Sequence, residues 1–131
     1  MIYEIRTYTL KPRSMAEVEK RWAECYPVRE KYSAAAGFFK TDIGPLNEFI
    51  HIWPYESLEE RARIRAEAAK ESAWPPPIGE FILNMQVEIL NPFSFAPAWE
   101  PGAPSSVYEL RQYTYESGAL PDIQEKWGAA L

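Results

Sequence analysis

A nine-residue stretch near the start of this chain returns 105 positions later. Ile2-Tyr-Glu-Ile-Arg-Thr-Tyr-Thr-Leu10 is answered by Val107-Tyr-Glu-Leu-Arg-Gln-Tyr-Thr-Tyr115, with five of nine pairs identical and two more conservative. The same gapless register sets Met15 on Leu120, Val18 on Ile123, Arg21 on Lys126 and Trp22 on Trp127. A repeat of this kind marks the beginning of a supersecondary unit and constrains the fold before any element is assigned. Two units begin, and a chain of 131 residues has room to complete only the first. Residues 107–131 are therefore expected to be the truncated start of a second unit, a strand plus part of a helix. Such a fragment cannot offset its own ordering entropy. Its strand, 107–115, is expected to form a ladder with a sheet it does not own, either the first unit's edge or another subunit's. Between the units, residues 94–106 read as a linker. Prolines at 97, 101 and 104, with Pro92 just before them, stiffen this region and exclude a continuous helix or a central strand.

The first unit reads as strand, helix, two strands, helix, strand. Ile2–Leu10 is rich in Tyr, Thr and Ile, the residues of a pleated surface. Ser14-Met-Ala-Glu17 has the form of a capping box, and Met15, Val18, Trp22 and Cys25 or Tyr26 follow at helical spacing. Pro27 should kink this helix and Gly37 close it. Phe38–Ile43 and Glu48–Trp53 are two short strands around the turn Gly44-Pro-Leu-Asn47. Ser57-Leu-Glu-Glu60 opens a second, highly charged helix to about Glu71, which Trp74-Pro-Pro-Pro77 stops. Phe81–Leu90 is the last strand, apolar enough to be buried. This order is an α+β, ferredoxin-like βαββαβ antiparallel sheet with both helices on one face.

Such a sheet leaves its other face uncovered, and the two-residue period groups the side chains into faces. Glu4, Arg6 and Tyr8 share one side of the first strand. With Ile50 and Ile52 under the helices, His51, Trp53 and Tyr55 take the opposite side. The expectation is an open face that carries Glu4, Arg6, Tyr8, His51 and Trp53 and is covered by a second sheet or a ligand.

The residues that spell these elements resemble the NIPSNAP family. Ile2–Pro12, then Gly37-Phe-Phe, then Asp42–Arg63 with its Asn-Glu-Phe-Ile-His-Ile-Trp-Pro-Tyr core, then Met85–Phe93 carry the resemblance. It covers residues 1–93 and restarts at 107. It implies a dimeric α/β-barrel type of fold, in which two ferredoxin-like units press their open sheet faces together, so a homodimer through that face is expected. It also implies an arginine at position 61, and tandem domains in many members. The family has no settled activity; relatives on the fold include cofactor-free monooxygenases, haem enzymes and isomerases, and fold does not choose among these.

Composition narrows the chemistry. A formal net charge of -5 argues against a nucleic-acid partner or a polybasic membrane patch. No window approaches the roughly 18 apolar residues of a membrane span, and Met1 leads into strand-like sequence without a basic-then-apolar signal, so a cytoplasmic protein is expected. The single Cys25 excludes an intrachain disulfide framework, and the single His51 excludes a His-rich metal cluster. No metal and no cofactor are expected, and phosphate-loop, dinucleotide and nucleophile-elbow motifs are all missing.

Two residues are candidates for catalysis, Arg6 and His51. An arginine in a semi-enclosed lumen can hold an anion, with Glu4 orienting it or acting as base; equally, Glu4 and Arg6 form a structural ion pair. His51 titrates near neutrality when unperturbed and suits acid–base work, haem ligation or a hydrogen-bonded pocket role. The ligand-binding set on this reading is Glu4, Arg6, Tyr8, His51 and Trp53. Three functions compete: a small-molecule-binding or protein-interaction module, a cofactor-free monooxygenase or isomerase working in the barrel lumen, and a haem-binding relative.

Overall fold

The computed structural model describes residues 1–100 and 105–130. The order is β1 (Ile2–Leu10), α1 (Met15–Glu30), β2 (Gly37–Lys40), β3 (Glu48–Tyr55), α2 (Leu58–Ala68), β4 (Ile82–Leu90) and α3 (Leu120–Ala130), with one 3-10 turn (Gly79–Phe81) before β4. The chain divides into two compact units, Met1–Asn91 and the residues from Pro92 onward. In the first, β2-β3-β1-β4 form one antiparallel sheet. The ferredoxin-like α+β expectation is met.

The two helices begin differently. At α2, Ser57 Oγ accepts the Glu60 N–H at 3.1 Å, and Glu60 reaches back to accept the Glu56 N–H at 2.7 Å. The first bond satisfies an orphan donor of the first turn, and the second ties the residue before the cap to the helix. The box expected at Ser14 does not form. Ser14 lies at helical φ and ψ, and its hydroxyl donates to the Lys11 carbonyl at 2.6 Å instead. Helix α1 runs through Pro27 and ends at Glu30, short of Gly37. Arg29 fixes that end by donating to the Ser33 carbonyl at 3.1 Å and to Ser33 Oγ at 2.8 Å. In the β2–β3 turn, Gly44 (φ 131°) and Asn47 (φ 61°) take the left-handed conformations that their residue types tolerate.

The core settles which sheet face is covered, and it is the reverse of the expectation. Leu10, Tyr8, Phe49, Trp53 and Tyr55 are buried with Val18 and Trp22 of α1 and Ile64 of α2. The polar and charged Glu4, Arg6 and His51 lie on that same face and are buried too. Ile50 and Ile52 occupy the other face and are only partly buried. The large rings of β1 and β3 fill the gap between sheet and helices better than two isoleucines would, and Trp22 packs against them edge-on. The Glu4, Arg6, Tyr8, His51 and Trp53 face is therefore covered by the unit's own helices, and no second sheet is needed to shield it.

Strand β4 also departs from expectation. It is an edge strand, and Leu83, Met85, Val87, Ile89 and Leu90 are exposed. On the face without helices, β1 and β3 present Tyr3, Ile5, Thr7, Ile50 and Ile52, and β4 adds Gln86 and Glu88. Ile5 is buried there between Ile52 and Glu88, its partners across the ladders.

In the second unit, α3 is the one regular element among the described residues. Residues 91–100 carry neither helix nor strand, and Pro101 and Pro104 of the expected linker lie outside the described residues. Phe93 and Phe95 stack at 5.3 Å, and Gln124 Nε2 donates to Ser94 Oγ at 3.0 Å. Residues 107–115 form no strand, and Val107, Tyr108, Leu110 and Tyr113 are exposed. The expected ladder is thus not formed within one chain. A strand exists only where a neighbour takes up its backbone groups, and local sequence alone does not supply one. Glu109 and Arg111 nevertheless pair, as Glu4 and Arg6 do, but in solvent.

Candidate functional site

The antiparallel register of β1 and β3 sets Glu4 opposite Trp53, Arg6 opposite His51 and Tyr8 opposite Phe49. Facing residues of such a pair point to the same side, so two strands bring all five sequence-nominated residues together. Helices α1 and α2 close over them with Trp22, Tyr26 and Arg29 from one and Arg61, Ile64 and Arg65 from the other.

The network divides into two halves that meet at Arg6. In one, Arg6 donates from Nη1 to Glu4 Oε1 at 3.2 Å and from Nε to Tyr8 Oη at 3.0 Å. Burial works against the Arg6 charge, but Tyr8 and Glu4 more than compensate, and its pKa is raised. Glu4 is fully buried and takes two further guanidinium groups from α2: Arg61 donates from Nε to Oε2, and Arg65 Nη1 stands 3.7 Å from Oε1. Burying a carboxylate this deep is costly unless cationic partners surround it. Arg29 lies nearby, buried, donating to Tyr55 Oη at 2.8 Å and stacked 4.4 Å over the Trp53 ring. Burial lowers its pKa, while the Tyr55 oxygen and Glu4 act in the opposite sense.

In the other half, His51 is enclosed by rings. Trp22 lies 4.7 Å away, Tyr8 4.8 Å, Phe49 5.1 Å, Trp53 6.0 Å and Phe38 6.4 Å between centroids. Its Nδ1 accepts the Trp53 Nε1–H at 2.7 Å, which puts the proton of the neutral ring on Nε2. That Nε2 and Trp22 Nε1 are buried without a partner. Burial, then the charges of Arg6 and Arg65, push the His51 pKa down to about 3. The imidazole is neutral throughout the physiological range, so acid–base work near pH 7 is not available to it as it stands. The surrounding rings leave no room beside it for a haem.

A cavity of about 300 Å³ lies elsewhere in the first unit, lined by Tyr32, Ser33, Pro54, Tyr55, Glu60 and Ile64 among others. Of the nominated residues none lines it; Tyr55, the partner of Arg29, connects the two regions. Among the described residues no group of three or more His, Cys, Asp or Glu is placed to hold a metal ion, and no helix is long and apolar enough to cross a membrane.

Sequence reasoning nominated Glu4, Arg6, Tyr8, His51 and Trp53, and the fold does bring them together. It missed Arg29 and Arg65. Arg65 sits in a helix of alternating charge, which reads as a solvated face, and only the four-residue step from Arg61 to Arg65 hinted at a shared side. Arg29 carried no local signal.

Residues 3–97 match the family model described as NIPSNAP. The Dictyostelium discoideum protein NipSnap homolog is 34% identical over 84 residues, which cover 64% of this chain and 38% of that protein. The chain spans less than two-fifths of the length of the curated relatives it matches. Among solved structures, protein Atu4242 from Agrobacterium tumefaciens superimposes with a TM-score of 0.70 at 34% identity, over 74% of this chain and 98% of that one. An antibiotic biosynthesis monooxygenase superimposes with a TM-score of 0.53 at 14% identity, over 70% of this chain and 98% of that one, a likeness of fold alone. The first unit has the fold of the dimeric α/β-barrel proteins.

Proposed function

The chain belongs to the NIPSNAP family, and from that premise we propose that it is a homodimeric small-molecule-binding module rather than an enzyme. The observation that carries the reading is the closure of the His51 network. The polar groups that a lumenal enzyme would turn toward substrate are turned toward one another: Arg6 to Glu4 and Tyr8, Trp53 to His51. General acid–base catalysis needs a group that titrates near the working pH and reaches the substrate; His51 is buried and neutral. The cavity beside Tyr55 is of the size that takes a small ligand. The helix-free face, with Thr7, Ile50 and Ile52 on adjacent strands, supports pairing with a second copy, the use this fold makes of that face. The repeat at Val107 supports reading the segment from that residue as the opening of a second unit of the same kind.

Native mass spectrometry of the protein purified from cell extract tests this reading. A dimer that retains a non-covalent small molecule is the expected result. A monomer, or turnover of a small molecule that disappears in His51→Gln, would overturn it.

A further inference from the structure

We propose that Arg61 and Arg65 form the mouth of a binding site for the phosphate group of a small molecule, at the α2 side of the sheet–helix interior. The inference rests on the binding-module reading and adds to the cavity beside Tyr55, which neither arginine lines, a second site with a named ligand class; it starts from a charge imbalance. Four guanidinium groups, those of Arg6, Arg29, Arg61 and Arg65, gather around the single carboxylate of Glu4. Arg29, the most deeply buried of the four, directs its hydrogen bonds to neutral oxygens of Ser33 and Tyr55. Glu60, on the first turn of α2, is engaged by the Glu56 N–H and by Arg63. A partly desolvated cluster with surplus charge of one sign favours a counter-charge. In a chain of net charge -5 this local excess runs against the overall sign.

The cluster also has a direction. Side-chain exposure rises from 0% at Glu4 through 10% at Arg6 and 25% at Arg61 to 44% at Arg65, a path from the interior to solvent. Arg65 stands at 3.7 Å from Glu4, too far for a hydrogen bond, and makes no side-chain hydrogen bond among the described residues. Its planar fork is therefore available, and guanidinium forks match phosphate oxygens two at a time. Charge selects phosphate over carboxylate. With four positive groups against one negative, a monoanion leaves a surplus of about two charges and a phosphate dianion about one.

Thermal melting with inorganic phosphate, against sodium chloride of equal ionic strength, tests the site. Phosphate is expected to raise the melting temperature of the native sequence, since a ligand that binds only the folded state stabilises it. Arg65→Gln should abolish the rise, Arg65→Lys should weaken it by keeping the charge without the fork, and Arg63→Gln, on the exposed side of the same helix, should preserve it. No rise with the native sequence, or equal loss in Arg63→Gln and Arg65→Gln, would overturn the proposal. Should Arg65→Gln fail to fold, the Arg65→Lys and Arg63→Gln pair decides by the same criterion. An intact dimer without a phosphate response defeats only this site, whereas a monomer defeats the binding-module reading itself.

Discussion

Trp53 Nε1 donates to Nδ1 of His51 at 2.7 Å, across a two-residue step on one face of β3. The bond fixes the tautomer of the only histidine in the chain and ties it to the wall of rings that keeps water away. Its consequences are measurable.

Stability should fall on acidification. In the folded state His51 takes up a proton only near pH 3, whereas an unfolded histidine takes one near 6.5. Between those values the unfolded chain binds more protons, so stability rises with pH across the window and is lost as pH falls through it. The limiting slope is about 1.4 kcal/mol per pH unit for one group. His51→Gln keeps an acceptor for Trp53 and removes the titration. Chemical denaturation from pH 4 to 6.5 should give a shallower pH slope for the variant than for the native sequence; parallel slopes would exclude this account.

The two copies of the repeated Glu-x-Arg pair should behave differently. Arg6→Ala strands a fully buried Glu4 carboxylate and is expected to cost about 3–5 kcal/mol, although Arg61 retains part of the pairing. Arg111→Ala removes the same pair from solvent, where screening leaves little to lose, and should not change the melting temperature. Equal effects at both positions, read from calorimetry, would contradict the burial argument.

Trp53→Phe should cost more than Trp22→Phe. Both rings lie in the core, but Trp53 has a partner to lose and Trp22 Nε1 has none. Orphaning His51 Nδ1 adds about 1–3 kcal/mol, while phenylalanine at 22 removes an unsatisfied buried donor. Urea midpoints of the two variants in the reverse order would refute this.

Ile50→Lys places a charge on the helix-free face without touching the core between sheet and helices. On the homodimer reading it should convert the dimer to a monomer, with little change in secondary structure. Light scattering coupled to size exclusion, together with circular dichroism, provides the check. A dimer that persists unchanged would place the interface elsewhere.

The alternation of Glu4, Arg6 and Tyr8 along β1, and of His51 and Trp53 along β3, was legible in the residues themselves, because a strand's side chains alternate whatever surrounds it. The element order was legible for a similar reason: turns, caps and helical spacing are local chemistry, although Ser14 shows that a capping pattern does not oblige the hydroxyl to cap. Which face met the helices was not legible, since a period of two is the same seen from either side. Only the packing of Trp22, Tyr26 and Ile64 against the rings decided it, by excluding water from the side where more large apolar surface could be buried. The gathering of Arg29, Arg61 and Arg65 toward Glu4 belongs to the same class. It joins Glu4 to three arginines that each lie more than twenty residues away in sequence, and long-range contacts leave no periodic trace in a single chain. The strand-like residues 107–115 make the complementary point: a β sequence states a readiness to pair, and becomes a strand only where tertiary structure brings it an edge.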